Sequence, residues 1–380
     1  MKPPIYLDYN ATTPVAPEVA GAMHPFLNEA FGNPSSSHWY GRRAREAVED
    51  ARKNVATLIG AQPEEIVFTG CATEANNLAL RGVAHALREK RRHIIVSAIE
   101  HPAVLEPALW LRAQGWDVSI VPADRYGWVD PADIKAALRD DTVLVSIMHA
   151  NNEVGTIQPI AEIATLAHSR GALMHTDAAQ SPGKISVSVD ELHVDLLTLA
   201  GHKFYATKGV GALYLRRGTN IASDLQGAGQ EYGLRPGTEN VPAIAGIGAA
   251  ARLATTHLAL DNAHLQRVRD EFHRILQQAI PDIVLNGHPS MRLPNTLNVS
   301  FPGVSGRDLL REVDSDIAAS VGSACHSQSD SVSGVLAAMG IIPARAMGAI
   351  RFSVGRYSTL DEIIRAAEVL ITAWKRLTKN

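Results

Sequence analysis

The chain has little cysteine, no long apolar run and no excess of charge of one sign. Its 380 residues include two cysteines, Cys71 and Cys325, which excludes a disulfide framework and a metal site built from cysteine alone. Basic and acidic residues number 36 and 39, so no basic field favours nucleic acid or an anionic membrane. The N-terminal MKPPIYLDYN lacks the layout of a signal peptide. We therefore expect a cytoplasmic protein that binds neither membrane nor nucleic acid directly.

Several cofactor motifs are also missing. No GxxxxGK[ST] loop, no GxGxxG with an acidic residue about 20 positions later, and no HExxH or other histidine and cysteine cluster at metal-ligand spacing is present. The sequence therefore gives little support to a dinucleotide, and it predicts no metal site despite 15 histidines.

The periodicity of apolar residues predicts an α/β fold. Unbroken short apolar runs, typical of parallel strands buried on both faces, alternate with amphipathic helical stripes. Strand candidates lie at 65–69, 93–98, 117–122, 142–148, 172–176, 195–199 and 210–215. Helical stripes lie at 43–59, 75–87, 102–114, 131–139 and 160–169. This pattern predicts a mainly parallel sheet of seven strands.

The pattern changes after about residue 220. A glycine-rich stretch at 226–240 precedes a long helix that starts near 242, followed by strand-like runs at 297–301 and 316–321 and a helix at 360–376. We expect a large domain over 15–255, and a smaller α+β domain formed by 256–380 together with 1–14.

Polar residues follow many of the predicted strands. In an open parallel sheet, ligands bind outside the carboxyl ends of the strands. The polar segments at these ends are Gly70 to Glu74, Glu100-His101, Asn151 to Glu153, Asp177 to Gln180 and Gly201 to Lys203.

Each of these segments allows a structural and a chemical interpretation. Lys203 is either a lysine extending to solvent from a strand end or an amine that forms a Schiff base. Asp177 either caps a helix or pairs with a protonated pyridine nitrogen. Thr73 either caps a helix or adds its hydroxyl to an anion site at the helix start. His101 either caps a helix or lies flat over an aromatic cofactor. Together, a lysine, a carboxylate and an anion site are typical of a pyridoxal phosphate site.

The chain resembles the NifS/IscS-like cysteine desulfurases, class V of the fold-type I pyridoxal phosphate enzymes, along nearly its whole length. The matching segments are YLDYNATTPVAPEV (6–19), FGNPSSSH (31–38), TGCATEANNLAL (69–80), EHPAVLEP (100–107), ANNEVGTIQPI (150–160), HTDAAQSPGK (175–184), GHKFYATKGVGALY (201–214), RPGTENV (235–241), GSACHS (322–327) and RFSVGR (351–356).

The resemblance implies a role for each matching residue. Lys203 would hold the cofactor, His101 would stack on its ring and Asp177 would pair with the ring nitrogen. The ring oxygen would be contacted by Gln180 and Asn152, and the phosphate would be held by Ala72, Thr73 and His202, with Thr238 reaching in from the second subunit of a homodimer. The carboxylate of the substrate L-cysteine would bind at Arg351, with Asn152 beside it. Cys325 would be the nucleophile that takes the sulfur as a persulfide.

The resemblance also leaves questions open. The family usually has serine where Ala200 stands, and Ser-Gly where Gly70-Cys71 stands. Cys71 is the less favoured of the two thiols as persulfide carrier.

The alternatives to a cysteine desulfurase are a selenocysteine lyase, an ordinary aminotransferase, or a cofactor-binding regulator without catalysis. The sulfur acceptor would be a separate protein of iron–sulfur assembly, tRNA thiolation or DNA phosphorothioation.

Overall fold

The strands of the large sheet lie where the sequence predicts them. The computed structural model describes residues 3–89, 92–322 and 333–379. The strands in these ranges are β1 (Ile5–Tyr6), β2 (Ile66–Thr69), β3 (His93–Ser97), β4 (Asp117–Val121), β5 (Thr142–Ser146), β6 (Leu173–Asp177), β7 (Leu196–Ala200), β8 (Gly211–Leu215), β9 (Val284–Asn286), β10 (Thr296–Ser300), β11 (Ile317–Ala318) and β12 (Ala349–Ser353). All seven predicted strands of the large domain are confirmed, each with a shift of one or two residues at an end.

The central sheet is mostly parallel. Within the described residues it has seven strands in the order β2-β8-β7-β6-β5-β3-β4. β8 runs antiparallel to both of its neighbours, and the other strands share one direction. The carboxyl ends of the parallel strands therefore meet at one edge of the sheet, which is where ligands bind in this architecture.

Helices cover the sheet. They are α1 (Pro17–Met23), α2 (Pro25–Asn28), α3 (Trp39–Ile59), α4 (Ala72–Leu87), α5 (Pro102–Ala113), α6 (Pro131–Ala137), α7 (Ile160–Ser169), α8 (Val241–Ala279), α9 (Gly306–Glu312), α10 (Gly334–Ala338), α11 (Pro343–Met347) and α12 (Leu360–Leu377). The helices predicted in the large domain are confirmed, as are the long helix from 242 and the last helix.

The long helix α8 packs closely on α3. A Cβ added at Gly248 would lie 2.5 Å from Cα of Ala51, so the two backbones touch where α8 has no side chain. By length and composition α8 could cross a bilayer, but half of its most apolar stretch is buried inside the protein. We therefore interpret it as a core helix.

A smaller antiparallel sheet lies in the C-terminal part of the chain, in the order β12-β10-β9. The core beside it includes Phe272 of α8, Phe352 of β12 and Leu370 of α12. The predicted strand at 316–321 is mostly wrong: only Ile317–Ala318 forms a strand, because its pairing partner β1 offers just two residues. The sequence patterns did not indicate β9 and β12.

The N-terminal segment contacts both parts of the chain. β1 pairs with β11 in parallel, and Ile5 and Leu7 are buried in the core beside the small sheet. A few residues later, the Thr13 N–H donates to the carbonyl of His202 at 3.0 Å. At the other predicted boundary, α8 continues through residue 255 without a break. The division of the chain at 14/15 and at 255/256 therefore stays a prediction.

A buried ion pair fixes the glycine-rich loop at 226–240. The Arg52 and Glu231 side chains are 5% and 2% exposed, and Nη2 of Arg52 lies 2.7 Å from Oε1 of Glu231. Oε2 of Glu231 also accepts from the Phe68 N–H at 2.7 Å, which ties the loop to β2. Glu231 and Tyr232 have φ of 46° and 61°, a backbone conformation that non-glycine residues rarely adopt.

Candidate active site

A cavity of about 280 Å³ lies at the carboxyl edge of the central sheet. It brings together most of the predicted site residues, from segments far apart in the chain. Those that line it are Ala72, Thr73, His101, Asn152, Asp177, Gln180, His202, Lys203 and Arg351. The expectation that a ligand binds at the carboxyl ends of the parallel strands therefore predicted the correct edge of the sheet. Arg351 is the exception, because it comes from β12 of the smaller sheet.

Lys203 enters the cavity from a short 3-10 turn, Gly201–Lys203, directly after β7. Its Nζ donates to the carbonyl oxygens of Asn10 and Ala11, at 2.7 and 2.8 Å. The N-terminal segment thus holds the amine at the cavity wall. Asn10 belongs to the matching segment at 6–19, but its contact with Lys203 was not predicted.

Asp177 ends β6 and is 7% exposed. Its Oδ2 accepts from Nδ2 of Asn76 at 2.8 Å, and its Oδ1 accepts from the Ala179 N–H at 2.9 Å. Among the described residues, no ion pair joins Asp177 to a cationic side chain. A buried carboxylate that lines a cavity without a cation from the protein suits a ligand that carries a protonated nitrogen.

The N-terminus of α4 faces the same cavity. The N-cap of α4 is Cys71, whose side chain makes no capping hydrogen bond. Thr73 is the second residue of the helix, so the interpretation of Thr73 as the cap is wrong. Cys71, Ala72 and Thr73 all line the cavity, where the free N–H groups and the helix dipole favour an anion. Ala200, where the family usually has serine, lines it as well.

His202 also lines the cavity. Its Nδ1 is 3.2 Å from Oγ1 of Thr12. Burial, and then the positive charge of Lys203, lower the pKa of His202 to about 4. The ring is therefore neutral at pH 7 in the protein alone.

His101 is both a helix cap and a wall of the cavity. It is the N-cap of α5, and its Nδ1 accepts from the Ala103 N–H at 3.1 Å, which confirms the capping interpretation. Because the ring also lines the cavity, capping fixes its orientation there without excluding contact with a ligand.

Arg351 is 2% exposed and meets the N-terminal segment. Its Nη2 lies 2.6 Å from Oδ1 of Asp8, and its Nη1 donates to the Asn152 carbonyl at 3.2 Å. Its buried Nε has no hydrogen-bond partner among the described residues. Oδ2 of Asp8 accepts from Ser320 at 2.9 Å. Asp8 therefore orients the guanidinium at the cavity, a role that sequence reasoning missed.

Glu100 is buried behind His101. Its Oε1 accepts from Ser97 Oγ at 2.5 Å and from the Met148 N–H at 3.0 Å. Burial raises the pKa of Glu100 to about 8. Glu100 and His101 also line a second cavity of about 510 Å³, which adjoins the first at His101 and Asn152.

Two predicted residues are not among those lining the first cavity. Thr238 is exposed, in the stretch just before α8, and does not line the cavity of its own chain. Cys325 lies outside the described residues. The roles of both stay predictions.

An amine, a buried carboxylate and a helix N-terminus at the carboxyl edge of this sheet define a pyridoxal phosphate enzyme of fold type I. The chain belongs to the aminotransferase class-V family, whose profile matches residues 5–365.

Similar proteins agree with this assignment. Cysteine desulfurase IscS of Dictyoglomus turgidum is 49% identical over 371 residues, covering 97% of this chain and 94% of that relative. A solved NifS-like protein has a TM-score of 0.91 and 38% identity, covering 99% of this chain and 100% of its own. The solved structure of SspA in complex with cysteine has a TM-score of 0.84 and 37% identity, covering 93% of this chain and 99% of its own.

Proposed function

We propose that this protein is a pyridoxal phosphate-dependent cysteine desulfurase. It converts L-cysteine to L-alanine and leaves the sulfur as a persulfide on Cys325. The observation that carries this proposal is the single cavity in which Lys203, Asp177 and Arg351 meet. The similarity to IscS cysteine desulfurases and to SspA, whose solved structure contains cysteine, supports the choice of substrate.

The residues of the cavity fit pyridoxal phosphate. Asp177 would pair with the ring nitrogen, since it is buried and no described cationic side chain neutralises it. The helix start at Ala72 and Thr73, together with His202, would hold the phosphate. His101 would lie on the ring, and Gln180 and Asn152 would contact the ring oxygen. Thr238 would reach the phosphate from a second subunit.

The bound cofactor supplies an electron sink for negative charge at the α-carbon of the substrate. Lys203 would hold the cofactor, and its free amine would remove and return the α-proton of the substrate. Arg351 binds the substrate carboxylate through its guanidinium donors. Asp8 and the Asn152 carbonyl keep that guanidinium in place.

Cys325 performs the sulfur transfer. Its thiolate forms a bond to the sulfur of the substrate, while the carbon–sulfur bond of the substrate breaks and its electron pair moves to carbon. Proton addition then completes alanine. A free thiol is only a few per cent thiolate at pH 7, so the site must favour its deprotonation.

We further propose a cytoplasmic homodimer that passes sulfur to a separate acceptor protein. Phe31, Trp39 and Tyr40 are 66%, 56% and 45% exposed. The rings of Phe31 and Tyr40 are tilted, with centroids 5.3 Å apart, and Trp39 meets Tyr40 edge-on, with centroids 4.9 Å apart. An exposed aromatic patch of this kind supports a protein–protein contact.

Two substitutions test the function. In Cys325→Ala we expect the yellow cofactor colour to remain and persulfide formation to stop, whereas Lys203→Ala should lose the visible absorbance. Cys71→Ala is the matched control and should still form persulfide from L-cysteine. Full activity of Cys325→Ala would refute the assignment. Turnover of L-selenocysteine with negligible turnover of L-cysteine would replace it with a selenocysteine lyase.

A further inference from the structure

A second lysine lies buried beside the active site. Lys184 is 6% exposed and follows β6 by seven positions. Its Nζ donates to the Gln180 carbonyl oxygen at 2.9 Å and to Gln180 Oε1 at 3.0 Å. The amine thus binds one residue twice, through the backbone and through the side-chain amide.

This contact fixes the direction of the Gln180 amide. Because Oε1 accepts from Lys184, the amide nitrogen points the other way, and Nε2 donates to the Asn10 carbonyl at 3.0 Å. The same carbonyl oxygen accepts from Nζ of Lys203 at 2.7 Å. A continuous series of hydrogen bonds therefore joins the amine of Lys184 to that of Lys203.

The charged and titratable groups around Lys184 do not neutralise its amine. The crevice that Lys184 lines is also lined by five such residues, Lys203, Tyr9, Tyr205, Asp261 and Arg356.

Burial raises the pKa of both Tyr9 and Tyr205, so these phenols stay neutral. Asp261 lies in an ion pair with Arg356, and no ion pair among the described residues joins Lys184 to a carboxylate. Burial, and then Lys203, lower the pKa of Lys184 to about 7, which is consistent with an amine kept close to a second cation.

We propose that Lys184 is a positioning residue of the active site. It orients Gln180, and Gln180 in turn shares the Asn10 carbonyl with the amine of Lys203. This inference rests on the proposed function, because it concerns the amine that would hold the cofactor.

The test is an absorbance titration of the holoenzyme. Lys184→Met removes the hydrogen bond that orients Gln180 and, at pH values where Lys184 is protonated, a neighbouring positive charge. Once its Oε1 no longer accepts from Lys184, the Gln180 amide turns away from the Asn10 carbonyl, which then accepts from Lys203 alone. Both changes favour the protonated form of the Lys203 nitrogen. We expect the pH midpoint of the visible cofactor band to rise by about one unit, the size of a close charge interaction. Lys135→Met, an exposed lysine on α6, is the matched control and should keep the parental midpoint.

A double-mutant cycle shows whether Lys184 acts through Gln180. Gln180→Ala should also raise the midpoint, and the double variant should shift by less than the sum of the single variants. A fully additive cycle, or a parental midpoint in Lys184→Met, would overturn the inference. If Lys184→Met does not fold, Lys184→Gln keeps an amide donor and should raise the midpoint by a smaller amount. A parental midpoint there would overturn the inference equally.

The inference and the proposed function fail in different ways. If the parent protein shows no visible band and forms no alanine from L-cysteine, the function itself is wrong. If the parent shows both but the variants titrate like the parent, only the role of Lys184 is wrong.

Discussion

The role of Arg351 can be tested by binding, independently of turnover. In Arg351→Lys the planar guanidinium is replaced by a single ammonium, which cannot contact Asp8, the Asn152 carbonyl and a substrate carboxylate in the same geometry. We expect the substrate carboxylate to lose one charge-assisted hydrogen bond. Such a bond contributes about 1.5–3 kcal/mol, which corresponds to about a 10- to 100-fold loss of affinity.

The assay follows the change in the visible cofactor band when an amine binds. L-alanine, the proposed product, carries the carboxylate, and ethylamine is the same molecule without it. Affinity of Arg351→Lys for L-alanine should fall about 10- to 100-fold, while affinity for ethylamine should stay within about twofold of the parent. Comparing two ligands in one variant removes any general effect of the substitution on folding or cofactor loading.

Two outcomes would refute this reasoning. Unchanged affinity for L-alanine would mean that Arg351 does not bind the carboxylate. An equal loss for both ligands would mean that the substitution damages the cavity as a whole, as expected if Arg351 only neutralises the partly buried Asp8.

Two further predictions concern stability. Glu231→Gln removes the buried counter-ion of Arg52 and leaves only Glu49, whose side chain is 48% exposed, so thermal unfolding should show a loss of about 3 kcal/mol. The control Glu46→Gln, in an exposed pair with Arg43, should change stability by less than about 0.5 kcal/mol, and equal effects would contradict the burial argument. For Glu100, the folded pKa is raised from 4.5 to about 8, so its contribution is present below pH 4.5 and is lost as the pH rises to about 8. Glu100→Gln cannot ionise, and its Tm should therefore fall less than that of the parent between these pH values; parallel curves would show that Glu100 does not titrate in this range.

The fold was predictable where the apolar pattern is regular. The runs at 93–98 and 142–148 are unbroken, and both became buried parallel strands. The direction of β8 was not predictable, because an antiparallel strand buried on both faces has the same pattern as a parallel one. The strand β12 was not predicted, because its central residue, Arg351, is a buried charge that interrupts the apolar run.

The site was predictable from its strand-end motifs but not from its supporting contacts. Asp177 and Lys203 follow strands directly, and the rule for parallel sheets predicts that they meet. Asn10 and Asp8 belong to no strand end of the large sheet. Asn10 reaches the cavity, and Asp8 reaches Arg351, only through tertiary packing, which a single sequence does not encode locally. The burial of Lys184 was not predictable, because a lysine in a polar loop is ordinarily solvated.

The ion pair between Asp8 and Arg351 joins residues 343 positions apart. During synthesis the N-terminal segment leaves the ribosome first, and Lys203 follows at mid-chain. Arg351 is translated only after most of the chain has emerged. Arg351 is the last in the chain of the residues that line the cavity, so the group proposed to bind the substrate carboxylate joins the cavity only after every other lining residue has been made.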